Sequence, residues 1–184
     1  MEHELEVKII GLEIENLMER AVLLGAQKIA HEYQINYIID SSNYDLIEAD
    51  SYLRIRQIND IHNNIKRNEL TFKKKIPNTS LRENYEYTVE IDNIDNMLKI
   101  MENIKLDKVI SGKKERISYE LMGARLDFDF WNKETYPYPY LEIEVKDEEK
   151  LNEILMKMKI SKEAISRKSI SQLQEELRRD HDPV

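Results

Sequence analysis

The feature that most constrains this chain is a strict alternation of charged and apolar residues that recurs along its length. Successive side chains of a β-strand point to opposite faces, so an alternating segment has one charged face and one apolar face. The alternating segments are therefore predicted to be β-strands, and they cover residues 4–10, 35–39, 52–58, 70–76, 84–91, 115–121, 125–131 and 140–146.

Amphipathic helices are predicted between these strands, because apolar residues recur there at helical spacing. They cover residues 12–24, 94–104, 148–158 and 169–179. Gly25 fits a cap at the end of the first helix, and Asp147 fits a cap at the start of the third. Residues 59–68 are polar and show no periodicity, so a mobile hairpin loop is predicted there. Pro137 and Pro139 mark a second loop.

The size and composition of the chain favour one soluble globular domain. A length of 184 residues suits a single core, and neither a repeat nor a flexible linker interrupts it. We therefore predict one domain over residues 1–177, followed by a charged tail over residues 178–184. No apolar run approaches the roughly 18 residues of a membrane span, and the first residues carry no signal-peptide pattern. A cytoplasmic protein without a membrane partner is expected.

Charge and cysteine content narrow the possible ligands further. A formal net charge of -8 argues against nucleic acid as a partner, because binding to its phosphates favours a basic surface. The chain has no cysteine, so any bound metal must take oxygen or imidazole ligands. Hard cations such as Mg²⁺ or Mn²⁺ are therefore favoured.

The charged positions of the predicted strands form same-sign pairs rather than a mixture of signs. Neighbouring like charges on a strand repel, and a face that merely meets solvent is expected to intersperse the two signs. For any single strand, a solvated face remains an open interpretation. The recurrence of the pairs favours a ligand that needs both cations and anions around it. They are Arg54 and Arg56, Lys73 and Lys75, Lys114 and Arg116, Asp127 and Asp129, and Glu142 and Glu144, together with Glu4, Glu6 and Lys8 on the first strand.

A triphosphate with a bound divalent metal is a ligand of this kind. Its oxygens accept hydrogen bonds from arginine and lysine, while Mg²⁺ or Mn²⁺ prefers carboxylates. If the apolar faces pack against the helices, the charged faces must point inward. The predicted fold is therefore α+β, with a closed antiparallel β-barrel and helices packed outside it.

A series of charged motifs begins with Glu4-Leu5-Glu6-Val7-Lys8 and continues in a fixed order to about residue 173. The later motifs are Leu53-Arg54-Ile55-Arg56, Leu70-Thr71-Phe72-Lys73, Arg82-Glu83-Asn84-Tyr85-Glu86, Lys114-Glu115-Arg116, Asp127-Phe128-Asp129 and Tyr140-Leu141-Glu142-Ile143-Glu144. In this order they resemble the CYTH superfamily of triphosphate tunnel metalloenzymes. That superfamily includes class IV adenylate cyclases, thiamine triphosphatases and inorganic triphosphatases.

The resemblance implies an eight-stranded antiparallel tunnel with helices outside it, and a Mg²⁺ or Mn²⁺ site within it. The metal ligands that it implies are Glu4, Glu6, Glu142 and Glu144, with Asp127 or Asp129. Both aspartates face inward by alternation, and the family pattern favours Asp129.

The resemblance also implies which residues bind the triphosphate. The residues implied to bind phosphate oxygens are Lys8, Arg54, Arg56, Lys73 and Arg116. The resemblance implies that they act in catalysis together with Glu4 and Glu6. Lys75 competes with Lys73 for its role, and both are expected to line the tunnel. Further substrate-binding candidates are Arg82, Glu86, Lys114 and Lys168. Lys168 precedes a segment in which Ile170 stands at the position where the family usually has tyrosine.

The activity that the resemblance favours is metal-dependent hydrolysis of a triphosphate. One alternative is a class IV adenylate cyclase, and another is a non-catalytic module that binds polyphosphate or a nucleotide. Trp131, Tyr136 and Tyr138 are candidates for stacking on an organic group, although aromatic residues beside prolines more often close the end of a barrel. A monomer and a homodimer are both compatible with the sequence.

Overall fold

The computed structural model describes residues 2–42, 51–76 and 82–181, except for the side chains of residues 2–4, 75, 82, 83, 180 and 181. The described residues form nine strands and four α-helices. The strands are β1 Glu2–Ile9, β2 Gln27–Asp40, β3 Tyr52–Asp60, β4 Ile65–Lys75, β5 Arg82–Glu90, β6 Lys108–Leu121, β7 Ala124–Trp131, β8 Tyr140–Val145 and β9 Ile165–Ser166. The helices are α1 Ile14–Leu23, α2 Ile94–Asn103, α3 Glu148–Lys157 and α4 Ile170–His181.

All nine strands belong to one antiparallel sheet, in the order β5-β4-β3-β2-β6-β7-β8-β1-β9. β1 lies beside β8, where Glu6 pairs with Glu144, and it also pairs with β5, where Glu4 lies opposite Asn84. The short strand β9 extends the pairing of β1 at Lys8. The predicted α+β class with an antiparallel sheet is confirmed.

Two strands are longer than the alternation predicted. β2 begins at Gln27 instead of residue 35, and β6 begins at Lys108 instead of residue 115. They pair with each other from Gln27 to Asp40, with an irregularity between Lys28 and Ala30. This long pairing satisfies the backbone hydrogen bonds of both extensions. Their polar residues lie on both faces of the strand, so alternation alone did not reveal them.

The predicted hairpin between two strands is present, but its loop is shorter than the predicted residues 59–68. β3 continues to Asp60 and β4 starts at Ile65, so only four residues form the turn between them. Arg67, placed by sequence in the loop, lies within β4 and forms ion pairs with Glu32 and Glu69. The polar character of this segment therefore comes from ionic contacts between strands.

The apolar faces of the strands pack against the helices, as the alternation predicted. α1 and α3 cover one core, and its largest buried side chains on the sheet include Phe128 and Ile143. α2 covers a second, smaller core through Met101, which packs with Ile39 and Ile55. The opposite faces of the same strands thus remain free to carry charge inside the sheet.

The ends of the helices follow the predicted chemistry. Gly25 adopts a φ of 91° directly after α1, a conformation that favours glycine. Asp147 caps α3 by accepting a hydrogen bond from the backbone of Lys150. α4 continues to His181, so the predicted charged tail begins inside this helix.

None of the helices in the described ranges is long and apolar enough to cross a membrane. The cytoplasmic location inferred from the sequence stays a prediction.

Candidate functional site

The inward side chains of β1 to β8 line a cavity of about 290 Å³. Its mouth is bordered by the loop after β7 and by the start of α4, where Thr135, Ser171 and Gln174 contribute to the lining. The cavity brings together most of the charged residues that the sequence analysis singled out. Those in the lining are Glu6, Lys8, Arg54, Arg56, Lys73, Glu86, Lys114, Arg116, Asp127, Glu142 and Glu144.

A cationic cluster of Arg54, Arg56, Lys114 and Arg116 lies on the β3 and β6 side of this cavity. Burial, together with the charges of Arg54 and Arg116, lowers the pKa of Arg56 to about 10. Burial and the charge of Arg116 likewise lower the pKa of Lys114 to about 7, although Asp129 opposes this shift. Because burial is the largest cause of both shifts, the neighbouring carboxylates do not fully compensate Arg56 and Lys114 for the water that their charges have lost. The cluster is therefore a favourable place for a polyanion.

Two buried hydrogen-bond donors beside this cluster have no acceptor among the described residues. One is Nδ2 of Asn36, and the other is Nε of Arg54. Asn36 is 2% exposed, and both residues line the cavity. Buried donors in native proteins are normally satisfied, so an acceptor supplied by a ligand would complete both.

Carboxylates on β1, β5 and β8 line the same cavity and are partly neutralised by lysine. Lys73 Nζ lies 3.2 Å from Glu6 Oε2 and 2.7 Å from Glu86 Oε1. Lys8 Nζ lies 3.1 Å from Glu142 Oε1. Lysine and carboxylate thus form buried ion pairs inside the cavity.

Glu144 differs from the other cavity carboxylates in its electrostatic surroundings. Burial raises the pKa of Glu144, and the nearby charges of Asp127, Glu142 and Glu6 add to this effect, while Arg125 opposes it. The negative charge at this position is therefore incompletely balanced. A cation bound here would relieve the repulsion.

The chemistry of the cavity carboxylates fits a hard divalent cation. Glu6 and Glu144 lie opposite each other in the β1–β8 register, and Glu142 lies opposite Lys8 two pairs further along. The three glutamates offer carboxylate oxygens, which Mg²⁺ and Mn²⁺ prefer. Within the described part of the chain, no three acidic or imidazole side chains already form a metal-binding group. Lys73, Lys8 and Arg116 hold two of these carboxylates instead.

The two candidate aspartates of β7 have different surroundings. Asp129 is 0% exposed, and its oxygens accept hydrogen bonds from Arg116 Nε at 2.6 Å, Arg116 Nη2 at 2.7 Å and Lys114 Nζ at 2.9 Å. Burial alone would raise the pKa of Asp129, but Arg116 and Lys114 lower it. Asp127 lines the cavity and pairs with Arg116 and Arg125. The structure therefore favours Asp129 as the anchor of the two cations and leaves Asp127 nearer the ligand space.

The remaining sequence candidates lie elsewhere or outside the described part. Lys168 is half-exposed and pairs with Glu176 on α4, apart from the cavity lining. The side chains of Glu4, Lys75 and Arg82 lie outside the described residues, although their backbones belong to β1, β4 and β5. Their predicted roles stay predictions.

The mouth of the cavity has a rigid aromatic wall. Trp131 Nε1 donates a hydrogen bond to the hydroxyl of Tyr140 at 3.0 Å, and Trp131 lines the cavity. Tyr136 is buried and packs with Tyr140 and Leu173, whereas Tyr138 is exposed. Tyr136 thus packs against other side chains, and Trp131 is the one of the three aromatic candidates that lines the cavity.

Sequence reasoning missed several residues of the cavity wall, among them Asn36 and Gly112. Asn36 lies within the predicted strand over residues 35–39, but it carries no charge, so its inward position was not noticed. Gly112 lies opposite Asn36 on β6, where an added Cβ would come within 2.7 Å of Thr135 Oγ1. The signal that could have found Asn36 is the spacing of Gln34, Asn36 and Ile38 on one face of β2.

Residues 2–174 match a family model described as the CYTH domain. No curated protein matches the chain.

Several solved structures share the fold. PH1012 from Pyrococcus horikoshii OT3 is 21% identical, with 92% of this chain and 98% of that chain covered and a TM-score of 0.77. A Vibrio parahaemolyticus protein proposed to be an adenylate cyclase is 13% identical, with 95% and 98% covered and a TM-score of 0.71. HpAC1 from Hippeastrum, for which a dominant triphosphatase activity is described, is 18% identical, with 92% and 91% covered and a TM-score of 0.63.

Proposed function

Because the chain belongs to the CYTH family, we propose that it is a divalent-metal-dependent triphosphatase acting inside its sheet. Its substrate is inorganic tripolyphosphate or an organic triphosphate whose organic group stays at the mouth. The triphosphatase activity described for HpAC1, on the same fold, agrees with this proposal.

The observation that carries the proposal is the cationic cluster, in which Arg56 and Lys114 are buried without full compensation by carboxylates. Its members are lysine and arginine, which are the side chains that recognise phosphate. The lowered pKa values of Arg56 and Lys114, caused mainly by burial, support the proposal, because a negative charge placed beside them would favour their charged forms. A triphosphate supplies several negative charges in a row.

We further propose that the sheet forms a closed tunnel around the substrate. Its support is the pairing of β1 with β8 on one side and with β5 on the other, because β5 is the first strand in the sheet order. A closed wall excludes bulk water and strengthens every charge–charge interaction within it.

The metal in this proposal is Mg²⁺ or Mn²⁺, and the residues that would hold it are Glu6, Glu142 and Glu144, with Asp127 beside them and Glu4 predicted from the sequence. Such a cation supplies charge neutralisation to the phosphate oxygens during the reaction. The raised pKa of Glu144 supports this placement, because it marks the carboxylate that most lacks a counter-charge.

The proposed reaction is attack of water on the terminal phosphorus. The water oxygen bonds to this phosphorus while the bond to the bridging oxygen breaks, and the water loses one proton to solvent. Orthophosphate and a diphosphate, free or bearing the organic group, are the products. Arg54, Arg56 and Arg116 bind the phosphate oxygens and hold the triphosphate in line with the attacking water. Their fixed positive charges stabilise the negative charge that develops on the phosphate oxygens.

A protein that only binds polyanions would gain nothing from carboxylates in the same cavity, because they repel the ligand. The presence of Glu6, Glu142 and Glu144 in the lining therefore disfavours the non-catalytic alternative. A cyclase, in turn, must also position a ribose hydroxyl beside the first phosphorus. Hydrolysis needs only the metal, phosphate and water sites proposed here.

The deciding experiment incubates the purified protein with tripolyphosphate or ATP, each with Mg²⁺ or Mn²⁺, and identifies the products. Orthophosphate from either substrate is expected, with strong loss in Glu6→Gln. The matched control is Glu153→Gln, which removes a carboxylate near the protein surface that pairs with Lys150. Cyclic AMP with pyrophosphate would instead establish the cyclase, and binding without any product would establish the non-catalytic module.

A further inference from the structure

Asn36 is a buried amide in the cavity wall that the family motifs in this chain do not include. It lies on β2 between Arg56 of β3 and Gly112 of β6, and its side chain is 2% exposed. An amide that is buried to this extent is expected to use its donors and its acceptor.

The orientation of this amide is fixed by its neighbour. Arg56 Nε donates a hydrogen bond to Asn36 Oδ1 at 3.2 Å. Turning the amide over would point its NH₂ group at the guanidinium, so that two donors would face each other. The oxygen must therefore face Arg56.

The other half of the amide has nothing to bind among the described residues. Asn36 Nδ2 is buried without an acceptor, and so is Nε of Arg54, which belongs to the same cavity lining. The inward face of Gly112 is occupied by Thr135, whose hydroxyl donates to Asn132 instead. Two unused donors beside a cationic cluster call for an oxygen acceptor with negative charge.

We propose that Asn36 is a substrate-binding residue whose Nδ2 donates a hydrogen bond to a phosphate oxygen of the bound triphosphate, next to Arg54. This inference rests on the proposed function. It adds a neutral hydrogen-bond donor to the lysine and arginine residues proposed to bind phosphate. The hydrogen bond from Arg56 sets the direction of the Asn36 N–H before the ligand arrives. Asn36 therefore contributes orientation as well as affinity.

Two substitutions separate this role from the structural ones. Asn36→Asp keeps an acceptor for Arg56 Nε but removes the donor and adds a negative charge. Asn36→Leu removes donor and acceptor from a side chain of similar size without adding charge. If Asn36 donates to phosphate, both variants bind tripolyphosphate about tenfold more weakly or worse, as measured by calorimetry with Mg²⁺ present.

Every other pattern overturns the inference. A loss in Asn36→Asp alone shows charge repulsion, and a loss in Asn36→Leu alone shows that Asn36 only positions Arg56. Unchanged affinity in both shows that Asn36 does not touch the substrate. A loss confined to ATP, with tripolyphosphate unaffected, places the contact on the organic group. Far-ultraviolet circular dichroism of each variant confirms that the sheet is intact.

The same titrations distinguish failure of this inference from failure of the proposed function. Wild-type protein that binds tripolyphosphate supports the proposed site whatever the variants do. Wild-type protein that does not bind it overturns both, because no phosphate oxygen then reaches Asn36.

Discussion

Arg116 and Asp129 face each other across β6 and β7 and are joined by two parallel hydrogen bonds of 2.6 and 2.7 Å. Lys114 adds a third bond to the same carboxylate at 2.9 Å. Asp129 is fully buried, so it neutralises two cations in a place that solvent does not reach. This arrangement holds the cationic cluster in position before any ligand binds.

Asp129→Asn is therefore expected to destabilise the fold. It leaves Arg116 and Lys114 buried with less counter-charge, and breaking a buried ion pair in this way costs about 3–5 kcal/mol. Urea denaturation monitored by circular dichroism measures the change. The control Glu175→Gln, which removes a carboxylate paired with Arg179 on the exposed face of α4, should cost less than about 1 kcal/mol. Equal stability of the two variants would contradict the anchoring role of Asp129.

Glu142 and Glu144 lie on the same face of β8, yet their neutralisation should have opposite effects on stability. Lys8 and Arg116 hold the pKa of Glu142 well below its usual value against the effect of burial, so Glu142→Gln should lose about 1–3 kcal/mol at pH 7. Burial and neighbouring acids raise the pKa of Glu144, so Glu144→Gln should gain stability at pH 7.

The pH dependence of these two variants follows from the same signs. The contribution of Glu142 is present above its unfolded pKa of 4.5 and is lost as the pH falls through its lower folded pKa. The penalty of Glu144 is absent below 4.5 and grows as the pH rises through its higher folded pKa. Thermal unfolding from pH 2 to pH 8 tests both, and a loss of stability in Glu144→Gln at pH 7 would contradict the assignment. Each variant should still lose most metal-dependent turnover.

Much of the fold could be predicted from sequence because alternation reports directly on which face of a strand is buried. The eight predicted strands all exist, and their charged faces meet in one cavity. The two-residue strand β9 could not be predicted, since its pairing with β1 depends on tertiary contact alone. The same holds for the extension of β4 to Ile65, where polar residues are stabilised by ion pairs between strands.

The roles of individual site residues were harder to predict than their positions. Alternation placed Asp127 and Asp129 on the same face, but it could not show that Arg116 and Lys114 already occupy both oxygens of Asp129. That distinction depends on the register between β6 and β7. Asn36 was missed for a different reason, because an uncharged residue gives no signal in a charge pattern.

Arg56→Gln should weaken ligand binding without weakening the unliganded fold. Burial, together with the charges of Arg54 and Arg116, lowers the pKa of Arg56 to about 10, so removing that charge relieves both its desolvation and the repulsion. Wild-type protein should gain about 2.7 kcal/mol at a hundredfold excess of tripolyphosphate over its dissociation constant. The variant should gain much less at the same concentration. Differential scanning fluorimetry measures both, and equal ligand-induced shifts would argue against a phosphate contact by Arg56.

Gly112→Ala should disturb the mouth of the cavity. The added Cβ would lie 2.7 Å from Thr135 Oγ1 and 3.1 Å from Trp131 Cζ3, so at least one of these side chains must move. We expect a loss of about 1–3 kcal/mol in unfolding free energy. Adding Thr135→Ala should restore part of it, because the nearest contact then disappears. A double-mutant cycle measures this coupling. Strictly additive changes in unfolding free energy would show that the added methyl group makes no steric contact with Thr135.

Lys114 is expected to take up a proton when the triphosphate binds. Its pKa is lowered to about 7 by burial and by Arg116, despite Asp129, so near pH 7.5 a large fraction of the unliganded protein carries a neutral Lys114. Negative charge placed beside it favours the protonated form and raises its pKa. The same shift affects the stability of the unliganded fold. Between about pH 7 and pH 10.5, Lys114 binds its proton in the unfolded chain but not in the folded chain, so the folded state gains stability as the pH rises.

Calorimetry of tripolyphosphate binding, in buffers with different ionisation enthalpies, counts the protons exchanged. The wild type should take up more protons than Lys114→Arg at pH 7.5, and the difference should vanish near pH 5.5, where Lys114 is already charged. The arginine variant keeps the positive charge and leaves the titration of the phosphate itself unchanged, so subtracting its result isolates Lys114. Identical proton counts for the two proteins at pH 7.5 would mean that Lys114 is charged before the ligand arrives, and that Asp129 outweighs the desolvation of its ammonium group.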